Sequence, residues 1–284
     1  MAGSARGRAR PAKGPVGAIT RGTTAPNRLR RVDRWLVGPQ AWRLRRAGAA
    51  PVVVDLGYGS SPVTTVELFH RLRRVRPDVQ VVGIEIDPER VAAAITLERP
   101  GLRFVRGGFE LPLPNDTAPL VVRAVNVLRQ YDESEVQGAW ARLRGRLPED
   151  GLLVDGTCDE LGRLAAWVGI GPDGPVTLTV SMRLARLDAP SQVAPRLPKA
   201  LAHRNVPGER VHDYLAALDR AWARAAPQAA YGVRQRFVMT CASVRDEGWP
   251  VHDGPRRWRL GELTVDWSAV APSGAPGQSV SGRA

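Results

Sequence analysis

The stretch VVVDLGYGSSPVTTVELF, Val52–Phe69, decides the fold. Three valines run into Asp55 and Leu56, then come Gly57-Tyr58-Gly59, Ser60-Ser61-Pro62 and a new apolar rhythm. The β-branched run reads as a buried strand and the Gly-x-Gly as a sharp turn. Ser60 or Ser61 can cap a helix whose first position is Pro62, where no N–H is needed. A strand turning into a helix in this way points backbone N–H groups at a ligand, commonly a nucleotide-like one.

Outward from this turn the pattern alternates. Val79–Ile86, Leu102–Val105, Leu120–Val127 and Leu152–Val154 read as further strands. Helices are predicted over Val63–Val75 and Glu89–Leu97, and after Asp132, where Asp132 and Glu135 have capping-box spacing. After Leu161 the text changes: Pro175–Leu184 and Arg256–Trp267 alternate as half-exposed strands. Val211 to Trp222 and Tyr231–Val244 mark two helices between them, and Trp140, Trp167 and Trp222 sit at helical core spacing. The expected fold is α/β: a doubly wound, Rossmann-like, seven-stranded sheet, five strands parallel plus a terminal antiparallel pair, with helices on both faces.

The expected divisions are a disordered basic arm over 1–24, a helical segment over 25–50 and the core over 51–188. A helical substrate-side cover with the last strand follows over 189–270, and a disordered tail over 271–284. In the second segment, Thr24 caps and Pro26 opens a helix carrying Leu29, Val32 and Leu36 on one side.

A dinucleotide fingerprint would read G-x-G-x-x-G, and this chain has Pro62 in the third place and Asp55 ahead of the loop. A carboxylate there repels a pyrophosphate and suits a cationic ligand. The residues resemble class I S-adenosylmethionine-dependent methyltransferases at four points. Asp55-Leu56-Gly57-Tyr58-Gly59 matches their first motif. Glu85 matches the acid that accepts both ribose hydroxyls, with Ile86 beside the adenine. FVRGGFELPLP, around Gly108 and Phe109, is similar to the adenine-edge loop, although Gly108 stands where the family commonly has Asp. Ala124–Glu133 is similar to the segment under the methyl group. The resemblance covers roughly Pro51–Cys158 and implies S-adenosyl-L-methionine as cofactor, bound through Asp55, Gly57, Tyr58, Gly59, Ser60, Glu85, Ile86, Gly108, Phe109 and Asn126.

Methyl transfer from a sulfonium demands alignment more than acid–base help, so the candidates for a catalytic role are few. Asn126 reads equally as a turn former, and Tyr131 equally as packing. His203 lies in the expected cover and is a candidate base. Cys158 reads as a reduced, half-buried thiol rather than a nucleophile, and the four histidines and two cysteines show no metal spacing.

The net charge of +13 is concentrated: residues 1–46 hold twelve Arg or Lys against Asp33 alone. Only two of the 41 basic residues are lysines, Lys13 and Lys199, as a GC-rich coding sequence gives unaided. The acceptor classes left open are a small molecule, an RNA and a protein side chain. Two other readings stand beside methyl transfer: a pseudo-enzyme that binds the cofactor as a regulatory ligand, and a nucleic-acid-binding protein using the basic arm. No apolar run approaches a bilayer span and no secretory signal is legible, so a cytoplasmic protein without membrane association is expected.

Overall fold

The computed structural model describes residues 14–19, 22–114 and 117–273. A single mixed sheet runs through it in the order β3-β2-β1-β4-β5-β6-β7-β9-β8. The parallel half is β1 (Val52–Leu56), β2 (Gln80–Glu85), β3 (Leu102–Arg106), β4 (Val121–Val125) and β5 (Leu152–Cys158). The antiparallel half is β6 (Leu164–Gly171), β7 (Gly174–Met182), β8 (Val251–His252) and β9 (Glu262–Asp266).

The sheet is thus nine-stranded, not seven-stranded. β6 folds straight back on β5, Cys158 opposite Ala165, where a terminal pair was expected only further along. Trp167 accordingly lies on a strand, opposite Gly156, and not on a helix. The expected strand Arg256–Trp267 divides into a short helix and β9, with Gly261 at φ 76° between them.

Helices clothe both faces, and the pleat sorts the side chains between them. One core joins Val53, Val81, Val121, Val154 and Trp167 to α1 (Arg30–Leu36), α2 (Ala41–Arg46), α3 (Val63–Arg73) and α4 (Pro88–Ile95). The other joins Val54, Ile84, Val122 and Leu153 to α5 (Glu133–Arg144) and to α6 (Lys199–Ala202), α7 (Arg210–Arg224), α8 (Val233–Asp246) and α9 (Pro255–Trp258). Local signals explain the starts. Asp87 accepts from the N–H of Glu89 at 2.9 Å with Pro88 in the first turn, and the Asp132–Glu135 capping box opens α5.

α1 begins at Arg30, later than expected, because Thr24 caps no helix: its hydroxyl donates to the Tyr58 carbonyl at 2.9 Å. Leu29, Val32 and Leu36 are buried as their spacing predicts. The described part of the expected arm, 14–19 and 22–24, lies along the rim of the sheet at the β1 turn and the loop after β3. The remainder of the arm, 1–13 and 20–21, and residues 274–284 of the tail lie outside the described residues. Among the described residues no helix is long and apolar enough to cross a membrane.

Candidate functional site

Strand order reverses between β1 and β4, and a crevice opens at their carboxyl ends. The turn after β1 needs its glycines: Gly57 sits at φ 67° and Gly59 at φ 80°, left-handed values that cost other residues strain. The Gly57 N–H donates to the Ile84 carbonyl at 2.7 Å, and the Gly59 N–H to Oε2 of Glu85 at 2.9 Å. Oε1 of Glu85 accepts from the N–H groups of Ile86 at 2.9 Å and Asp87 at 3.3 Å. A carboxylate only 1% exposed is thus fixed at the end of β2 by main-chain donors. Tyr58 turns its ring onto Phe104, centroids 5.5 Å apart, and is buried. Ser60 is exposed, and it is Ser61 that accepts from the Val63 N–H, at 3.4 Å.

Asp55 does not stand free as a counter-charge for a ligand. Its carboxylate receives Nε and Nη2 of Arg123 at 2.9 and 2.6 Å, and the Thr65 hydroxyl at 2.6 Å. The other arm of Arg123 reaches Asp33 of α1, which Arg71 of α3 also grips. Burial works against the Arg123 charge, but Asp33 and Asp55 outweigh it and raise its pKa. Nothing local in the sequence pairs positions 33, 55, 71 and 123. Asp33 was visible only as the single acid of a basic segment.

The loop after β3 holds an acid after all, two residues past Gly108. Glu110 accepts the Gly108 N–H at 2.8 Å through Oε1 and the Val16 N–H at 2.8 Å through Oε2. The Phe109 N–H donates to the Val16 carbonyl at 2.8 Å. Residue 108 must be glycine for this approach, since a Cβ there would overlap the Val16 carbonyl. Two residues beyond Val16, the Ala18 N–H donates to the Tyr131 hydroxyl at 2.6 Å, and the Tyr131 ring lies 5.4 Å from that of Phe109. Residues 16–18 therefore strap the pocket formed by Glu85, Ile86, Gly108, Phe109 and Tyr131, leaving a cavity of about 10 Å³.

On the other side of the turn a cleft of about 420 Å³ remains open. Gly57, Tyr58, Gly59 and Asp55 form one wall, Thr24 and Arg28 another, and Asn126, Arg129, Cys158, Glu160 and Arg196 are among those that line the remainder. Asn126 holds φ 63° while its Oδ1 accepts the Cys158 N–H at 2.9 Å and its Nδ2 lies 3.3 Å from Sγ. Burial pushes the Cys158 thiol up, more than Arg28 and Asn126 draw it down, so a neutral thiol lines the cleft. His203 does not reach the cleft. It sits two-thirds exposed at the end of α6, its Nδ1 3.5 Å from Glu133. Among the described residues no group of acids, histidines and cysteines could hold a metal ion.

No known family profile matches the chain, and no curated protein matches it. Solved structures similar to it include the citrinin polyketide synthase CMeT domain, at 16% identity and TM-score 0.38 over 47% of this chain and 36% of that one. A structure described as a pericyclic reaction enzyme aligns at 17% identity and TM-score 0.34 over 42% of this chain and 31% of its own. Precorrin-6y C5,15-methyltransferase of Geobacter metallireducens GS-15 aligns at 16% and TM-score 0.32, over 48% of this chain and 68% of its own. The chain spans about a third of the length of the first two. Methyltransferases recur among the similar structures. At these TM-scores the likenesses decide neither activity nor acceptor.

Proposed function

We propose that the protein is a class I methyltransferase using S-adenosyl-L-methionine, with the adenosine end in the pocket now strapped by residues 16–18 and the methyl end toward the cleft at Asn126. One observation carries this reading. The Phe109 N–H and the Glu110 carboxylate hold a side-by-side acceptor and donor, the carbonyl and N–H of Val16, which is the pairing that N1 and the amino group of an adenine present. The strap stands in for the base edge, so the residues present fit the group.

In this reading Glu85 takes the ribose hydroxyls, with the Gly59 and Ile86 N–H groups fixing its carboxylate. Ile86 and Phe109 supply the apolar walls for the base. Asp55 braces the turn through Arg123 and does not bind the ligand. When bound, the cofactor supplies a methyl group on a positively charged sulfur. The chain's own part is to hold the acceptor in line with that carbon and keep water out. Cys158, kept neutral, offers no base, which suits an acceptor whose nucleophilic atom is already unprotonated.

The test is calorimetric titration with S-adenosylhomocysteine of the wild type and of Glu85→Ala, each checked for folding by thermal melting. Micromolar binding, about 8 kcal/mol, lost in a folded Glu85→Ala protein, is the expected outcome. A folded wild type that binds none refutes the reading.

A further inference from the structure

The open cleft carries an unbalanced charge. Arg28, Arg129 and Arg196 come to it from three separate parts of the chain: the segment before α1, the turn after β4, and the 3-10 stretch Pro190–Arg196. Arg28 is fixed by main-chain carbonyls, its Nε donating to Asp159 at 3.0 Å and its Nη1 to Thr23. Those bonds orient the side chain without neutralising it. Neither Arg129 nor Arg196 has an ion-pair or hydrogen-bond partner among the described residues. Of the carboxylates that line the cleft among the described residues, Asp55 is already paired with Arg123, which leaves Glu160 alone against three guanidinium groups. Arg129 feels the other two: it loses basicity through partial burial, then through repulsion by Arg196 and by Arg28. Like charges gathered around a cleft raise its potential and are relieved when an anion enters.

We propose that this cleft is an oxyanion site, and that the methyl acceptor is a small molecule bearing a carboxylate or phosphate held by Arg28, Arg129 and Arg196. The inference rests on the methyltransferase reading for the word acceptor, and on the cleft alone for the anion. A volume of about 420 Å³ suits a metabolite rather than a polymer track. Guanidinium forks take carboxylates and phosphates two bonds at a time, so three of them present more donors than the cofactor's single carboxylate can accept. The anion would lie beside Asn126 and Cys158, the end of the crevice away from the strapped pocket.

The experiment uses the full chain, with and without saturating S-adenosylhomocysteine, titrated with inorganic pyrophosphate, with citrate and with glycerol as the neutral control. Three proteins are compared: wild type, R129A/R196A, and R256A/R259A, which removes the same charge at exposed positions outside the cleft. The expected result is that wild type and R256A/R259A bind one or both anions and not glycerol, while R129A/R196A binds them at least about tenfold more weakly. Its affinity for S-adenosylhomocysteine should stay within about threefold of wild type. Preference for pyrophosphate or for citrate separates the two sources of charge. Equal weakening in both double variants, or no anion binding by a folded wild type, overturns the site. Loss of S-adenosylhomocysteine along with the anions assigns these arginines to the cofactor and overturns the acceptor proposal. Arginine-dependent anion binding without any S-adenosylhomocysteine binding upholds the oxyanion site and removes the methyltransferase reading beneath it.

Discussion

Arg123 and Asp55 form a two-point ion pair across the β1–β4 junction, at 2.9 and 2.6 Å, with neither side chain more than 2% exposed. The same guanidinium reaches Asp33, so one cation joins the helix before the sheet to the two strands that border the crevice. The β1 turn is therefore held from behind by charge, and its outward face is left to main-chain groups.

Removing that cation leaves Asp55 buried without a counter-ion and leaves Asp33 to Arg71 alone. Arg123→Leu should cost about 3–5 kcal/mol in urea unfolding. The triple variant Arg123→Leu, Asp33→Asn, Asp55→Asn should be distinctly more stable than Arg123→Leu alone. If single and triple variants unfold together, lost packing and not uncompensated charge is the cause.

In the proposed binding mode the strap and an adenine edge compete for the same two partners, Phe109 N–H and Glu110. Val16→Pro deletes the N–H that donates to Glu110 and should loosen the strap, tightening S-adenosylhomocysteine by up to about tenfold. Glu110→Ala loosens the strap as well but removes a ligand contact, so it should weaken binding. Calorimetry that finds the two variants shifted in the same direction would separate the strap from the base pocket.

Asn126 combines a left-handed backbone with two contacts to Cys158. Replacement by glycine forfeits the contacts only, whereas alanine also suffers the left-handed penalty. Asn126→Ala should thus be less stable than Asn126→Gly by about 1 kcal/mol, measured by chemical denaturation. Equal stabilities would show that the backbone relaxes out of that conformation.

Asp155 is fully buried on β5, and desolvation pushes its pKa up to about 7 against the pull of the Trp140 indole N–H at 3.0 Å. The folded chain therefore keeps a proton that the unfolded chain releases near pH 4. Its contribution is fully present in acid and is lost as pH rises toward 7, on the order of 4 kcal/mol in all. Asp155→Asn has no such proton. Stability of the wild type relative to this variant should fall between pH 4 and 7 and be level above that. A difference independent of pH would mean that Asp155 is ionised in the fold.

What the sequence discloses is what neighbours in sequence decide. The turn at Gly57 and Gly59, the acid at Glu85 and the capping box at Asp132 are legible because each is a local pattern with its own geometry. β6 is not: LAAWVGIG is apolar throughout, without the alternation that marks a half-exposed strand, and its tryptophan fits helical spacing equally well. Glu110 escaped because the path of the loop, not position in the motif, chooses which side chain meets the pocket. The Asp33–Arg123–Asp55 set and the arginines of the cleft are long-range meetings, and a single sequence has no signal for them.

The return of β6 on β5 also bears on how the chain assembles. Pairing Cys158 with Ala165 closes a tight turn, whereas pairing Val53 with Val121 closes a loop about ten times longer, an entropic difference of about 2 kcal/mol. The β5–β6–β7 meander can form from its own residues, while the crevice exists only once β4 has found β1. A pulse of hydrogen exchange early in refolding should find Ala166 and Val168 protected before Val53 and Val54. The crevice of the candidate site would be the last part of the molecule to be made.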